Sequence, residues 1–186
     1  MAIKIYIDQG HNPQNPNAGA EGNGLREQDI TYRVGEELAS LLRQNSNYEV
    51  RLSRPTPTSS LGSSNTSSLR ARVNDANAWG ADYFISIHTN SSENPSAGGV
   101  EAFAYSSPSP AFSLGESILR SLSAATGQRN RGMKVRPGLY VLRKTAMPAI
   151  LLEIGFISNP EEAALMNNSP ALFAQGIYNG IVNQLG

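Results

Sequence analysis

PAILLEIGF, residues 148–156, is an apolar run broken by a single acid, Glu153. A stretch of this length and composition reads as a strand buried on both faces, as strands inside a largely parallel sheet are. Five more strand-like runs surround it, at 3–8, 48–53, 83–89, 99–105 and 139–143, with the quoted run itself spanning 149–155. Helical periods separate them: Ile30, Val34, Leu38, Leu41 and Leu42; Leu69, Val73 and Ala76; Leu114, Ile118 and Leu122; and Phe173, Ile177, Ile181 and Leu185. Strands alternating with helices of this length predict an α/β fold with helices on both faces of the sheet. No repeat and no shift of composition divides the chain, so residues 1–186 read as one domain.

The composition narrows the chemistry. There is no cysteine, which removes disulfide scaffolds, iron–sulfur centres and thiol nucleophiles. Fifteen basic residues balance fifteen acidic ones, which argues against a partner held mainly through phosphates, such as a nucleic acid. A metal site has only two histidines and the carboxylates to draw on. The opening MAIKIYIDQG has neither the basic start nor the long apolar stretch of a secretion signal, and no run is long enough to span a bilayer. The expectation is a chain that acts where it is made, leaves by another route, or is a catalytic piece of a longer protein.

Both histidines fall at carboxyl ends of predicted strands, His11 three residues beyond Asp8 and His88 at the end of 83–89. Loops at that end of an open α/β sheet are where ligands usually bind, and the segment 11–24, HNPQNPNAGAEGNG, is such a loop. A catalytic zinc commonly takes two His and one carboxylate and keeps a position open for water. Glu27 and Asp29, at the start of the first helix, serve equally as the third ligand or as acids favoured in a first helical turn. Glu153, between Leu152 and Ile154, is costly to bury unless it is paired with Arg143 or Lys144 or acts as a general base beside a cation. Residues 55–68 read as a solvated connection. Asn159, Pro160 and Glu162 read as a helix cap, first position and capping box without chemistry.

The ordered set Asp8-Gln-Gly-His11, Gly19-Ala20, Glu27, Ser86-Ile-His-Thr-Asn90, Gly99-Val-Glu101, Asn130-Arg-Gly132, Leu139-Tyr-Val-Leu-Arg143 and Leu152-Glu-Ile-Gly-Phe-Ile-Ser-Asn-Pro160 resembles the type-3 family of zinc-dependent N-acetylmuramoyl-L-alanine amidases. The resemblance runs from Ile3 to the last helix. It implies a twisted mixed, mostly parallel sheet of about six strands, one Zn2+ on His11, Glu27 and His88, and Glu153 as the catalytic acid. It thereby selects Glu27 over Asp29. The implied substrate is peptidoglycan, cut between the lactyl group of N-acetylmuramic acid and L-alanine at the bacterial cell wall, by an autolysin or a phage endolysin acting as a monomer without membrane insertion. Asn90, Arg131 and Arg143 are candidates for substrate contacts, the arginines because stem peptides carry carboxylates, with structural ion pairing the equal alternative for each arginine. The chain departs from the family in having Asn12-Pro13 where a Gly-Gly pair is common and Thr89 where Ala is common. The stretch 89–99 is too short for the inhibitory helix some members carry, which predicts a site open without an activator. Two rival readings keep the wall as ligand: a zinc peptidase cutting within the stem peptide, and a non-catalytic wall-binding module.

Overall fold

The computed structural model describes residues 1–186. Six strands form the main sheet: β1 (Ile3–Gln9), β4 (Tyr48–Leu52), β5 (Tyr83–Asn90), β6 (Val100–Ala104), β7 (Asn130–Val135) and β8 (Ala149–Phe156). A short hairpin, β2 (Glu21–Gly22) and β3 (Leu25–Arg26), lies before the first helix. The helices are α1 (Glu27–Arg43), α2 (Asn65–Trp79), α3 (Pro110–Thr126), α4 (Tyr140–Lys144), α5 (Pro160–Asn168) and α6 (Pro170–Leu185). The strand order is β4-β1-β5-β8-β6-β7; β6 runs antiparallel to β8 and every other pairing is parallel. This is the expected mixed, mostly parallel α/β sheet. No helix is long and apolar enough to cross a membrane.

Side-chain alternation sends the two halves of each strand to different layers. Ile5, Ile7, Ile85, Ile87, Ile150 and Leu152 enter a core of 27 buried residues under α1, α3 and α6. Their neighbours Tyr6, Phe84, Ala149 and Leu151 enter a core of nine under α2 and α4. That second layer is the smaller one. Toward the carboxyl ends of β1, β5 and β8 the same face turns polar, carrying Asp8, Ser86, His88 and Glu153.

α3 and α6 pack closely because α6 offers glycines. A Cβ on Gly180 would stand 2.3 Å from the Ile118 Cα, and one on Gly176 would stand 2.9 Å from the Leu122 Cα. Backbone cannot yield as a flexible side chain can. Gly180→Ala is therefore expected to destabilise the protein by about 1–3 kcal/mol, although Gly→Ala in an open helix stabilises it. A urea midpoint that rises would refute this packing.

Three sequence expectations need correction. Residues 139–143 form no strand: α4 is a helical turn that puts the adjacent Val141 and Leu142 into the same core, which alternation in a strand forbids. The sixth strand is instead β7, an edge strand whose NRGMKV sequence buries little and lacks an apolar run. The 55–68 segment enters α2 at its end, where Ser64 and Ser67 form the capping box. Asn159 does cap α5, accepting from the Glu161 and Glu162 N–H groups. The Glu162 carboxylate does not return to that cap; it accepts from Gly99 N (2.6 Å) and Phe156 N (2.7 Å), joining the start of β6 to the end of β8.

Candidate metal centre

His11 lies two residues beyond the end of β1 and adopts a left-handed conformation, φ 67°. Non-glycine residues adopt it at a cost, so the surroundings must hold it. Arg72 of α2 does much of this. Its Nη1 donates to Asp8 Oδ1 (2.6 Å) and the Gln9 carbonyl (2.7 Å), and its Nη2 donates to the His11 carbonyl (2.7 Å) and Asn12 Oδ1 (3.2 Å). Asn12 in turn fastens the loop to residues 16 and 61, donating to the Pro16 and Leu61 carbonyls and accepting from Leu61 N. Burial alone raises the Asp8 carboxyl, but the Arg72 guanidinium and the Ser86 hydroxyl hold it below its ordinary range.

Glu27 is the first residue of α1 and is 3% exposed. Its Oε1 stands 3.0 Å from His88 Nδ1 and accepts from Thr89 N; its Oε2 stands 3.1 Å from His11 Nε2 and accepts from Ala20 N. Burial works to raise this carboxyl and the two histidines outweigh it, so Glu27 stays well below the usual carboxylate range. The hairpin loop reaches the cluster through Gly19, whose absent Cβ would meet Glu27 Oε2 at 2.8 Å and the His11 ring at 2.9 Å. Gly10 makes similar room, 2.5 Å from the His88 ring.

One ligand atom from each of His11, Glu27 and His88 lies within 4.8 Å of the others. Ligands bound about 2.1 Å from a tetrahedral ion stand about 3.4 Å apart. Two imidazoles and a carboxylate brought this close, walled by glycines, fit a divalent cation: the donor set is the two-His, one-carboxylate set of catalytic zinc. Asp29 stays at the surface, paired with Arg26 at 2.9 Å.

Glu153 is the register partner of His88 on β5 and of Glu101 on β6. Neither Arg143 nor Lys144 pairs with it; it makes no ion pair, and its Oε2 is buried without a hydrogen-bond partner. Burial, then the Glu27 and Glu101 carboxylates, push it well above its ordinary value. The structure thus brings His11, Glu27, His88 and Glu153 together. Asn90 and Arg131 lie next to them but are held by Glu101: Asn90 Nδ2 donates to Oε1 (2.8 Å) and Arg131 Nε to Oε2 (3.2 Å). Arg143 is not brought to the site. It lines a cleft of about 410 Å³ with Tyr105 and Ala149, at the opposite end of β8.

Arg72, Asp8 and Asn12 escaped the sequence reading as site residues. A signal existed for two of them. Arg72 falls on the apolar side of the Leu69, Val73, Ala76 period, and Asp8 ends an apolar strand just as Glu153 interrupts one.

A doubly covered α/β sheet with a His-Glu-His cluster and an unpartnered carboxylate at its strand ends has the donor set and the free acid that metal-assisted hydrolases use. The chain belongs to the N-acetylmuramoyl-L-alanine amidase family, whose profile matches residues 5–183. It is similar to N-acetylmuramoyl-L-alanine amidase CwlM of Bacillus licheniformis, 37% identical over 98% of this chain and 67% of that protein. Among solved structures, the catalytic domain of CwlV, an N-acetylmuramoyl-L-alanine amidase from Bacillus (Paenibacillus) polymyxa, superposes with a TM-score of 0.85 at 32% identity, covering 98% of each chain. The CwlD amidase of Clostridioides difficile superposes at 0.90 with 26% identity, again over 98% of each. The chain is accordingly a peptidoglycan amidase.

Proposed function

We propose that the chain hydrolyses the amide between the lactyl group of N-acetylmuramic acid and L-alanine, at the cell wall, with one zinc ion held by His11, Glu27 and His88. The observation that carries the reading is Glu153 Oε2, buried and unpartnered beside the register position of His88. When bound, the zinc ion supplies Lewis acidity that makes water acidic near neutral pH and polarises the scissile carbonyl. Glu153 takes the proton of the attacking water on its carboxylate and returns it to the nitrogen of L-alanine, so that the amide leaves as a neutral amine. Both histidines are occupied as ligands, which leaves the carboxylate as the proton carrier. His11, Glu27 and His88 would hold the cation; Glu27 stands 3.0–3.1 Å from both rings, and the Thr89 and Ala20 N–H groups fix its carboxylate.

Mass spectrometry of digested peptidoglycan tests the bond. Intact stem peptides with free L-alanine termini, together with bare glycan, are expected; fragments cut inside the stem would identify a peptidase, and binding without new amines a wall-binding module. Metal analysis tests the site. The wild-type chain is expected to bind one zinc, and His88→Ala to lower zinc affinity by more than about a hundredfold, since even outer partners of a ligand are worth about 10–100-fold. A His88→Ala protein that still binds zinc tightly removes His88 from the ligand set.

A further inference from the structure

We propose that Lys134 and Arg136, held over the ring of Phe103, receive a free carboxylate of the stem peptide, and that this contact sets the preference among wall chemistries. The proposal rests on the amidase reading above. Its basis is the register on the face that carries the site. Glu101 is the partner of Glu153, Phe103 is the next residue of β6 on that face, and Lys134 is the partner of Phe103. Met133 faces the other way, against Gly115 of α3. From the row His88, Glu153, Glu101 the same face of β6 steps two residues to Phe103, level with Leu151 of β8, and Lys134 reaches back from β7 to the Glu101 carboxylate.

Lys134 Nζ stands 5.9 Å from the Phe103 ring centroid and the Arg136 guanidinium carbon 5.7 Å. Glu101 is the acid available to this group, and its Oε2 already takes both Lys134 and Arg131. Burial acts against its ionisation, but the two cations hold it below its ordinary value, so it stays charged. Arg131 is turned toward the start of β6: its Nη1 donates to the Gly98 carbonyl (3.1 Å) and its guanidinium stacks 5.2 Å from the Phe156 ring. These contacts hold Arg131 away from the ring of Phe103, where Lys134 and Arg136 meet. Arg136 is exposed and its side chain has no acid partner and no hydrogen bond. One carboxylate thus faces more cations than it can neutralise. A guanidinium with an aromatic ring on one side and open donors on the other suits a carboxylate.

The separation fits a ligand tethered to the reacting bond. Phe103 lies about 6.6 Å along β6 from Glu101, which lies about 4.8 Å across the sheet from Glu153. The Phe103 position is thus about 8 Å from the Glu153 position on the sheet, the reach of about two to three extended residues. A stem peptide whose first amide nitrogen sits at Glu153 brings its next residues onto Phe103.

The test compares a soluble muramoyl tripeptide carrying free carboxylates with the same compound amidated. Lys134→Met and Arg136→Met, separately and together, keep an unbranched side chain over Phe103 and remove the charge. The wild type is expected to prefer the free acid. In the double variant the KM for that substrate should rise about three- to tenfold, with kcat changing by less than about twofold, and the preference should vanish. Arg43→Ala, which removes a positive charge from the end of α1, should keep the wild-type preference. A double variant that retains the preference overturns the proposal, as does a defect confined to intact walls, which would identify a polyanionic wall polymer as the ligand. Wild-type cleavage at L-alanine with no preference overturns this proposal alone; absence of that cleavage overturns the amidase reading with it.

Discussion

Glu153→Gln is expected to lower kcat on peptidoglycan by about 10²–10⁴-fold, the usual contribution of a positioned acid–base group, while zinc binding persists. Gln copies the shape of Glu but can neither take a proton from water nor hand one to an amine. The side chain is not a ligand, so the cluster of His11, Glu27 and His88 is left intact. The same substitution should also stabilise the metal-free protein near neutral pH. Burial and the Glu27 and Glu101 carboxylates raise the Glu153 carboxyl. Folding therefore favours its protonated form, and the native state loses stability as pH rises above the unfolded value of about 4.3. Gln carries no such cost. Lost turnover with a raised melting temperature is the pattern of a residue kept for chemistry. Activity within about tenfold of wild type would remove Glu153 from the mechanism.

Arg72→Ala is the second large effect, and it acts on stability. Arg72 is 1% exposed and faces Asp8, which is equally buried. Removing one partner of a buried ion pair costs about 3–5 kcal/mol, because the other charge is left without compensation. For a domain of this size that is a fall in Tm of about 6–20 °C, readable by calorimetry. The pair also gives stability a pH dependence. The Asp8 carboxyl is held below its ordinary value, so its contribution is present above the unfolded value of about 3.9 and is lost as pH falls through the folded one. In Arg72→Ala this acid limb should flatten. Because Arg72 Nη2 also holds the His11 carbonyl, zinc affinity should fall by about 10–100-fold. Joint replacement of Asp8 and Arg72 by apolar residues should recover part of the stability and none of the lost affinity. Recovery of both would mean that the pair positions nothing.

Much of this protein was legible in its residues because the signals are local. An apolar strand needs no partner to be recognised, and five of the six strands and all four long helices follow from side-chain periodicity. The site was legible for the same reason: two histidines in the whole chain, both at strand ends, and one acid inside PAILLEIGF. The choice of Glu27 over Asp29 was not a local matter. Both acids stand in the first turn of α1, and only the turn after β1 and the end of β5 place the His11 and His88 rings around Glu27, while Asp29 turns outward to Arg26.

The errors have a common origin. β7 was missed because an edge strand buries one side and pairs on one side, so NRGMKV carries little apolar pattern. The strand expected at 139–143 is a helical turn because α4 must fill a short gap over β8, a requirement visible only once Val141 and Leu142 are seen to share a core with Leu151. Arg143 moved from the site to the far end of β8 for the same reason. The sequence by itself determined the α/β class and put forward the candidate ligands and the candidate acid, since these depend on residue identity and near-neighbour spacing. Position in the first turn of α1 left Glu27 and Asp29 equal and the resemblance implied Glu27; tertiary structure alone decided that Arg72 holds His11 in its left-handed conformation and that Lys134 and Arg136 share the ring of Phe103. Each of these is a contact between segments far apart in the chain, and sheet order and register, rather than local preference, bring such segments together.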